Sequence, residues 1–167
     1  MVNLGILLAE RGDLAGAAPA FRDAIDTFHT DHTPAAMTNF AILRTKQGDL
    51  DGAAHAYRGV ITTGHHDEVP QAMLGLGILL AQRGDVVGAV KAYRAAAATS
   101  HPDAAPKAMF NLGMLLLKHG DRDGGIQALG EAAATDHPEE APKAKLTLEL
   151  LAEHDDPDGV DGPAAKP

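Results

Sequence analysis

An all-α solenoid of stacked helical hairpins is the fold class this chain predicts, and three observations predict it. Gly84-Asp85 recurs as Gly12-Asp13, Gly48-Asp49 and Gly120-Asp121, each 36 residues from the next. Pro34, Pro70, Pro106 and Pro142 keep the same spacing. Within a copy, Met73, Leu76, Gly77 and Leu80 fall at i, i+3, i+4 and i+7, which places them on one helical face. Self-similarity at this period means supersecondary units that stack to bury a continuous core.

The stretch Gln71 to Pro106 is the clearest copy. Its first helix, A, carries the face just described and is expected to end at Gly84, which can take the left-handed conformation that closes a helix. Asp85 follows as an N-cap, its carboxylate accepting from the free backbone N–H groups of the next helix. Helix B is expected from about residue 86 to residue 100, with Val86, Ala89, Tyr93 and Ala96 on its buried stripe. Asp103 is then expected to cap the following helix A, and Pro106 falls in that helix's first turn, where a missing N–H costs little.

These residues resemble the tetratricopeptide repeat. Leu76 and Gly77 in helix A, Gly84-Asp85 at the turn, and Ala89, Tyr93 and Ala96 in helix B stand in register with that family's motif. The family repeats about every 34 residues and this chain every 36, so two extra residues are assigned to the junction around His101 to Ala105. Met73 and Leu80 stand where the family usually has aromatic residues, and the Sel1-like repeat, a relative of similar length, resembles the unit equally. The resemblance implies a right-handed α-solenoid whose A helices line the concave wall.

The remaining copies follow in order. Copy one, residues 1–34, starts inside helix A, since Met1 matches Met37, Met73 and Met109; this suits an excerpt of a longer array. Pro19 is expected to bend or fray its helix B. Copy two, 35–70, carries Arg44 where its neighbours have Leu8, Leu80 and Leu116. Copy four, 107–142, has Leu129 in place of the aromatic, and Gly124, Gly125 and Gly130 are expected to make its helix B the loosest. Residues 143–153 read as a lone capping helix that closes an array spanning 1–153. The acidic, Pro- and Gly-rich stretch 154–167 is expected to be a disordered tail.

Composition narrows the function classes. Hydrophobic residues make up 45% but aromatics only 4%, so the core must be built from small aliphatic side chains in close helix contact. A net charge of −9 without any Lys/Arg cluster argues against nucleic acid or an anionic membrane as partner. With no cysteine and Ser100 the only serine, thiol and serine chemistry have almost nothing to work with, and no cofactor fingerprint is present. No apolar run approaches the roughly 20 residues of a membrane span, and MVNLGILLAERGDL lacks a basic leader and cleavage site, so a cytoplasmic location is expected. Abundant Ala, Gly, Asp and Arg with few Lys suggest a bacterial source.

One histidine recurs per copy, at His29, His65, His101 and His137. Equivalent residues of adjacent repeats lie roughly 8–10 Å apart, too far to share a metal. Each imidazole is therefore expected to close the C-terminal end of helix B, where carbonyls lack partners. Gly16, Gly52, Gly88 and Gly124 also recur, in the first turn of helix B, and packing is the expected cause.

The resemblance makes the free faces of the A helices the ligand surface. They carry Val2, Ile6, Thr38, Ile42, Leu74, Ile78, Phe110, Met114 and Leu117, an apolar stripe of the kind that marks a partner site. Asn3, Asn39 and Asn111 sit beside it, with Lys107 and Lys143 at its edge. Chaperone-binding members of the family hold a C-terminal carboxylate with Lys and Asn from three successive A helices. Here Asn111 and Lys143 fit, but Leu74 and Ile78 replace the first lysine and asparagine, which favours an apolar ligand. The expected function is noncatalytic capture of a peptide or protein segment, with no cofactor and no metal. The alternative is a scaffold that dimerises through the exposed N-terminal end of the array.

Overall fold

The computed structural model describes residues 1–26 and 33–155, and over these the chain is built of helices with no strand. The first hairpin is α1 (Val2–Glu10) and α2 (Leu14–Asp26), the second α3 (Thr33–Lys46) and α4 (Leu50–Thr63). The third is α5 (Glu68–Gln82) and α6 (Val86–Ala97), the fourth α7 (Ala104–Lys118) and α8 (Arg122–Ala133). A lone α9 (Glu140–Asp155) follows, beginning before the expected residue 143. Residues 156–167, most of the expected tail, and His29 lie outside the described residues.

Each turn inside a hairpin obeys one rule. Gly12, Gly48, Gly84 and Gly120 take φ of +82°, +79°, +78° and +84°, a region that a side chain disfavours. The next residue, Asp13, Asp49, Asp85 or Asp121, accepts a hydrogen bond through its carboxylate from the backbone N–H three residues on, at 2.8 to 3.0 Å. That donor is always the recurring glycine: Gly16, Gly52, Gly88 or Gly124. A Cβ on any of the four would fall within 2.5 Å of a carboxylate oxygen, so the glycine is there to let the cap close over it.

Successive A helices touch one another, α1 with α3, α3 with α5, α5 with α7 and α7 with α9, whereas among the described residues no two B helices pack together. A layer in mutual contact beside a splayed one puts the A helices on the shorter, inner side of the stack. The seams inside the hairpins are built from small residues. Ala17, Ala53 and Ala89 are fully buried in α2, α4 and α6. The ring of Phe21 covers Gly5 and that of Tyr93 covers Gly77.

Several expectations change here. The helix carrying Pro19 does not fray at it but runs on to Asp26, with the proline exposed. The fourth hairpin is not loosened by Gly125, which is buried where the other copies have alanine. A Cβ there would lie 3.1 Å from the Gly113 carbonyl oxygen, and one on Gly113 would lie 3.0 Å from that of Gly125, so the two glycines let α7 and α8 approach closely. Arg44 replaces a core leucine by laying its guanidinium 4.6 Å from the Phe40 ring centroid and pairing with the Asp49 cap.

The histidines close the other end of the junction from the one expected. His101 Nδ1 accepts from the backbone N–H groups of Asp103 and Ala104 at 3.2 and 3.1 Å, and His137 Nδ1 from those of Glu139 and Glu140 at 3.3 and 3.1 Å. His65 Nδ1 accepts from Glu68 at 3.4 Å. Each imidazole therefore caps the start of the next A helix, in the neutral tautomer with its proton on Nε2. The end of helix B is closed by a threonine instead: the Thr99 hydroxyl donates to the Ala96 carbonyl at 2.6 Å and accepts from the His101 N–H at 3.3 Å. Thr63 and Thr135 repeat this arrangement.

Asp103 is displaced from the capping role that the sequence suggested, and its side chain makes no cap hydrogen bond. Its carboxylate joins three successive A-helix entries instead, accepting from Gln71 Nε2 at 2.9 Å, Lys107 Nζ at 2.6 Å and His137 Nε2 at 3.4 Å. The Lys107 ammonium, with Gln71 and then His137, holds this carboxyl well below the usual range, at about 2.

Candidate functional site: the A-helix face

The exposed side of the A helices is organised as rows 36 residues apart. One row runs Ile6, Ile42, Ile78, Met114 and Leu150; the last four are 40%, 38%, 42% and 57% exposed, while Ile6 is half-buried. Large apolar side chains left to water at the same position of consecutive helices make a continuous ladder, not scattered single residues. Leu150 was not anticipated, although its spacing from Met114 marks it as the next rung.

The structure divides the other expected residues. Asn3 is exposed, and Asn39, Asn111 and Leu117 are half-buried beside the ladder. The row one turn earlier faces the neighbouring A helix instead of solvent. Leu74 is 7% exposed and packs into the core with α6 and α7, and Thr38, also 7% exposed, turns its hydroxyl back to the Pro34 carbonyl at 3.0 Å. Both leave the candidate surface, because this position fills the A–A seam. Val2 and Phe110, in the same row, are half-buried against the first and last cores. The two lysines are engaged: Lys107 with Asp103, and Lys143 with Glu140 at 3.1 Å and Glu139 at 3.6 Å.

Two pockets open on this face, and they are copies of each other. One, of about 180 Å³, lies between α1 and α3; the other, of about 570 Å³, lies between α5 and α7. Their lining corresponds at a 72-residue offset: Ala9 with Ala81, Phe21 with Tyr93, Asn39 with Asn111, Ile42 with Met114, Leu43 with Leu115, and Lys46 with Lys118. At the α3–α5 seam the asparagine position is Gly75, and a Cβ there would lie 2.8 Å from the Tyr57 hydroxyl, so the tyrosine itself occupies the space. Burial pushes the Tyr57 phenol up, with the Thr45 hydroxyl beside it pulling the other way. Tyr93 and the lysines of these pockets were missed in the sequence because Tyr93 reads as a core residue and Lys118 as a helix-end charge.

Among the described residues no three His, Asp or Glu side chains converge to hold a metal ion, and no helix is long and apolar enough to cross a membrane.

The hairpin geometry, the Gly-Asp turn and the small-residue seam come together most regularly in the second and third copies. Residues 38–108 match the tetratricopeptide repeat. The tetratricopeptide architecture extends beyond that stretch in the solved structures the chain is similar to. The crystal structure of MamA aligns with a TM-score of 0.71 at 16% identity, over 91% of this chain and 84% of that one. BtubC (BKLC) from P. vanneervenii aligns with a TM-score of 0.76 at 20% identity, over 90% and 69%. A tetratricopeptide repeat protein from Parabacteroides merdae ATCC 43184 aligns with a TM-score of 0.72 at 17% identity, over 93% of this chain and 60% of its own length. At these identities the likeness establishes the tetratricopeptide fold. No curated protein matches the chain in sequence.

Proposed function

We propose that the chain is a noncatalytic interaction module that binds a peptide or protein segment along its A-helix face. The observation that carries this reading is the ladder Ile42, Ile78, Met114 and Leu150, each between 38% and 57% exposed on consecutive inner helices. Burying such side chains against a ligand releases about 25 cal/mol per Å² of apolar surface, and Asn39 and Asn111 beside them can both donate to and accept from a peptide backbone. The functional unit is the array of residues 1–153, its copies meeting at 34, 70, 106 and 142, with 143–153 as the closing helix. Met114→Asp and Ile78→Asp test the reading: helical content should hold, since both side chains are already solvated, and partner capture should fall by more than tenfold. Capture unchanged in both variants would count against the face.

A second reading has its own observation. Met1, just before α1, and Leu4 and Leu7 on it are 61%, 45% and 44% exposed, so this end of the stack presents apolar surface that two copies could share. Light scattering separates the readings. A dimer that dissociates in Leu4→Asp favours self-association, and a monomer at all concentrations removes it.

A further inference from the structure

The histidine caps tie three A-helix entries to a titratable ring. His65, His101 and His137 hold the starts of α5, α7 and α9 through Nδ1, which accepts from the backbone N–H of Glu68, from those of Asp103 and Ala104, and from those of Glu139 and Glu140, at 3.1 to 3.4 Å. An imidazole nitrogen accepts only while it carries no proton. A proton on Nδ1 turns the acceptor into a donor facing other donors, and it sets a full positive charge at a helix N-terminus that already carries a partial one. Cap and imidazolium therefore exclude each other at these three junctions.

The charged groups around the rings do not remove this conflict. Asp67, bonded to His66, faces His65 and His101. Asp103, bonded to Lys107, meets His137 Nε2 at 3.4 Å, and Glu139 and Glu140, both paired with Lys143, follow His137 in the chain. The Lys107 ammonium, with Gln71 and His137, holds Asp103 at about 2, so this carboxylate stays an anion wherever an imidazole titrates. Its pull acts on the Nε2 side of the ring and leaves Nδ1 set against two N–H groups. With its side chain only 8% exposed, His137 cannot present Nδ1 to water without leaving its seat.

We propose that these junctions are an acid-sensitive device: below neutral pH, proton uptake by His65, His101 and His137 releases the first turns of α5, α7 and α9 and loosens the stack along the helices that carry the apolar ladder. The direction follows from linkage. The capped junction keeps the ring neutral while the unfolded chain takes up a proton near the ordinary imidazole value of about 6.5, so the stability the caps give is complete above that value and is lost as pH falls below it. Each ring lowers the ratio of folded to unfolded chain by up to about tenfold between pH 7.5 and 5.5. Three equivalent rings multiply the response to as much as about a thousandfold.

Urea unfolding of the full chain at pH 7.5 and 5.5 tests this. The unfolding constant should rise by more than about a hundredfold between the two. Asparagine keeps a side-chain acceptor and does not titrate, so His101→Asn alone should cut that rise by about tenfold, and the combined variant His65→Asn, His101→Asn and His137→Asn should nearly abolish it. His55→Asn, at an exposed position on α4, should leave it whole. No rise in the wild-type chain, or the same rise in the combined variant, would overturn the inference. Should the combined variant fail to fold, ¹⁵N NMR of the histidine rings in the folded wild-type chain at pH 5.5 decides. Nδ1 of His101 and His137 free of a proton upholds the device; Nδ1 protonated with the Ala104 and Glu140 amides unshifted overturns it.

Discussion

Replacing a helical glycine by alanine ordinarily stabilises a helix by about 1 kcal/mol, and this chain offers two glycines where that gain should differ. Gly130 lies inside α8 with nothing within 4 Å of a would-be Cβ, so Gly130→Ala should deliver the full gain. For a chain of this length that raises the melting temperature by roughly 2–4 °C. Gly88 lies in the first turn of α6, and a Cβ there would sit 2.4 Å from Asp85 Oδ2, so the carboxylate must swing away and the cap is lost. Losing an N-cap costs about 1 kcal/mol, which offsets the propensity gain, and Gly88→Ala should leave the midpoint near its starting value. The two changes are coupled. In an Asp85→Ala background the cap is already gone, and Gly88→Ala should recover its full gain of about 1 kcal/mol, a non-additivity that a double-mutant cycle reads directly. Thermal unfolding followed by circular dichroism supplies all four midpoints. Gly88→Ala stabilising as much as Gly130→Ala, in the presence of Asp85, would refute the explanation of the recurring glycine.

The other predictions concern the junctions and the tightest seam. His137→Ala removes the acceptor for two backbone N–H groups at the start of α9 and the link to Asp103, and should destabilise by about 1–2 kcal/mol in urea unfolding. Asn at the same position, able to accept through its side-chain oxygen, should recover part of the loss. Asp103 has a folded-state pKa depressed to about 2 against an unfolded value of about 3.9, so its contribution is complete above the unfolded value and is lost as pH falls through about 2. Acid unfolding monitored between those limits should be shallower in Asp103→Asn. Gly125→Ala drives a Cβ toward Leu117 and the Gly113 carbonyl and should destabilise by about 1–3 kcal/mol, opposite in sign to Gly130→Ala five residues on.

The repeat was readable because its signals are local and periodic. Gly84 before Asp85 states a left-handed turn followed by a cap, and the i, i+3, i+4, i+7 face of α5 states a helix; both hold within a single turn of chain. What escaped was contact between elements. His101 could close either the helix before it or the one after it, and only the course of the junction, with Ser100 at φ +54° and Thr99 already bonded to Ala96, decides for the latter. Leu74 and Ile78 look alike on a helical wheel. Packing against residues of α6 and α7 buries the first, while the second is left 38% exposed. Gly88 had no evident purpose until the Asp85 carboxylate was seen folded over it.

The reading of the A-helix face as the binding surface is tested most directly by comparing charges placed on the two sides of the stack. Ile78→Asp and Met114→Asp alter the A helices, and Val87→Asp alters a 66% exposed position on a B helix. Binding of a partner identified with the wild-type chain, measured by calorimetry, should fall by more than tenfold in the first two and remain within twofold in the third. Loss of binding in Val87→Asp with Ile78→Asp and Met114→Asp unaffected would place the interface on the outer layer and contradict the account.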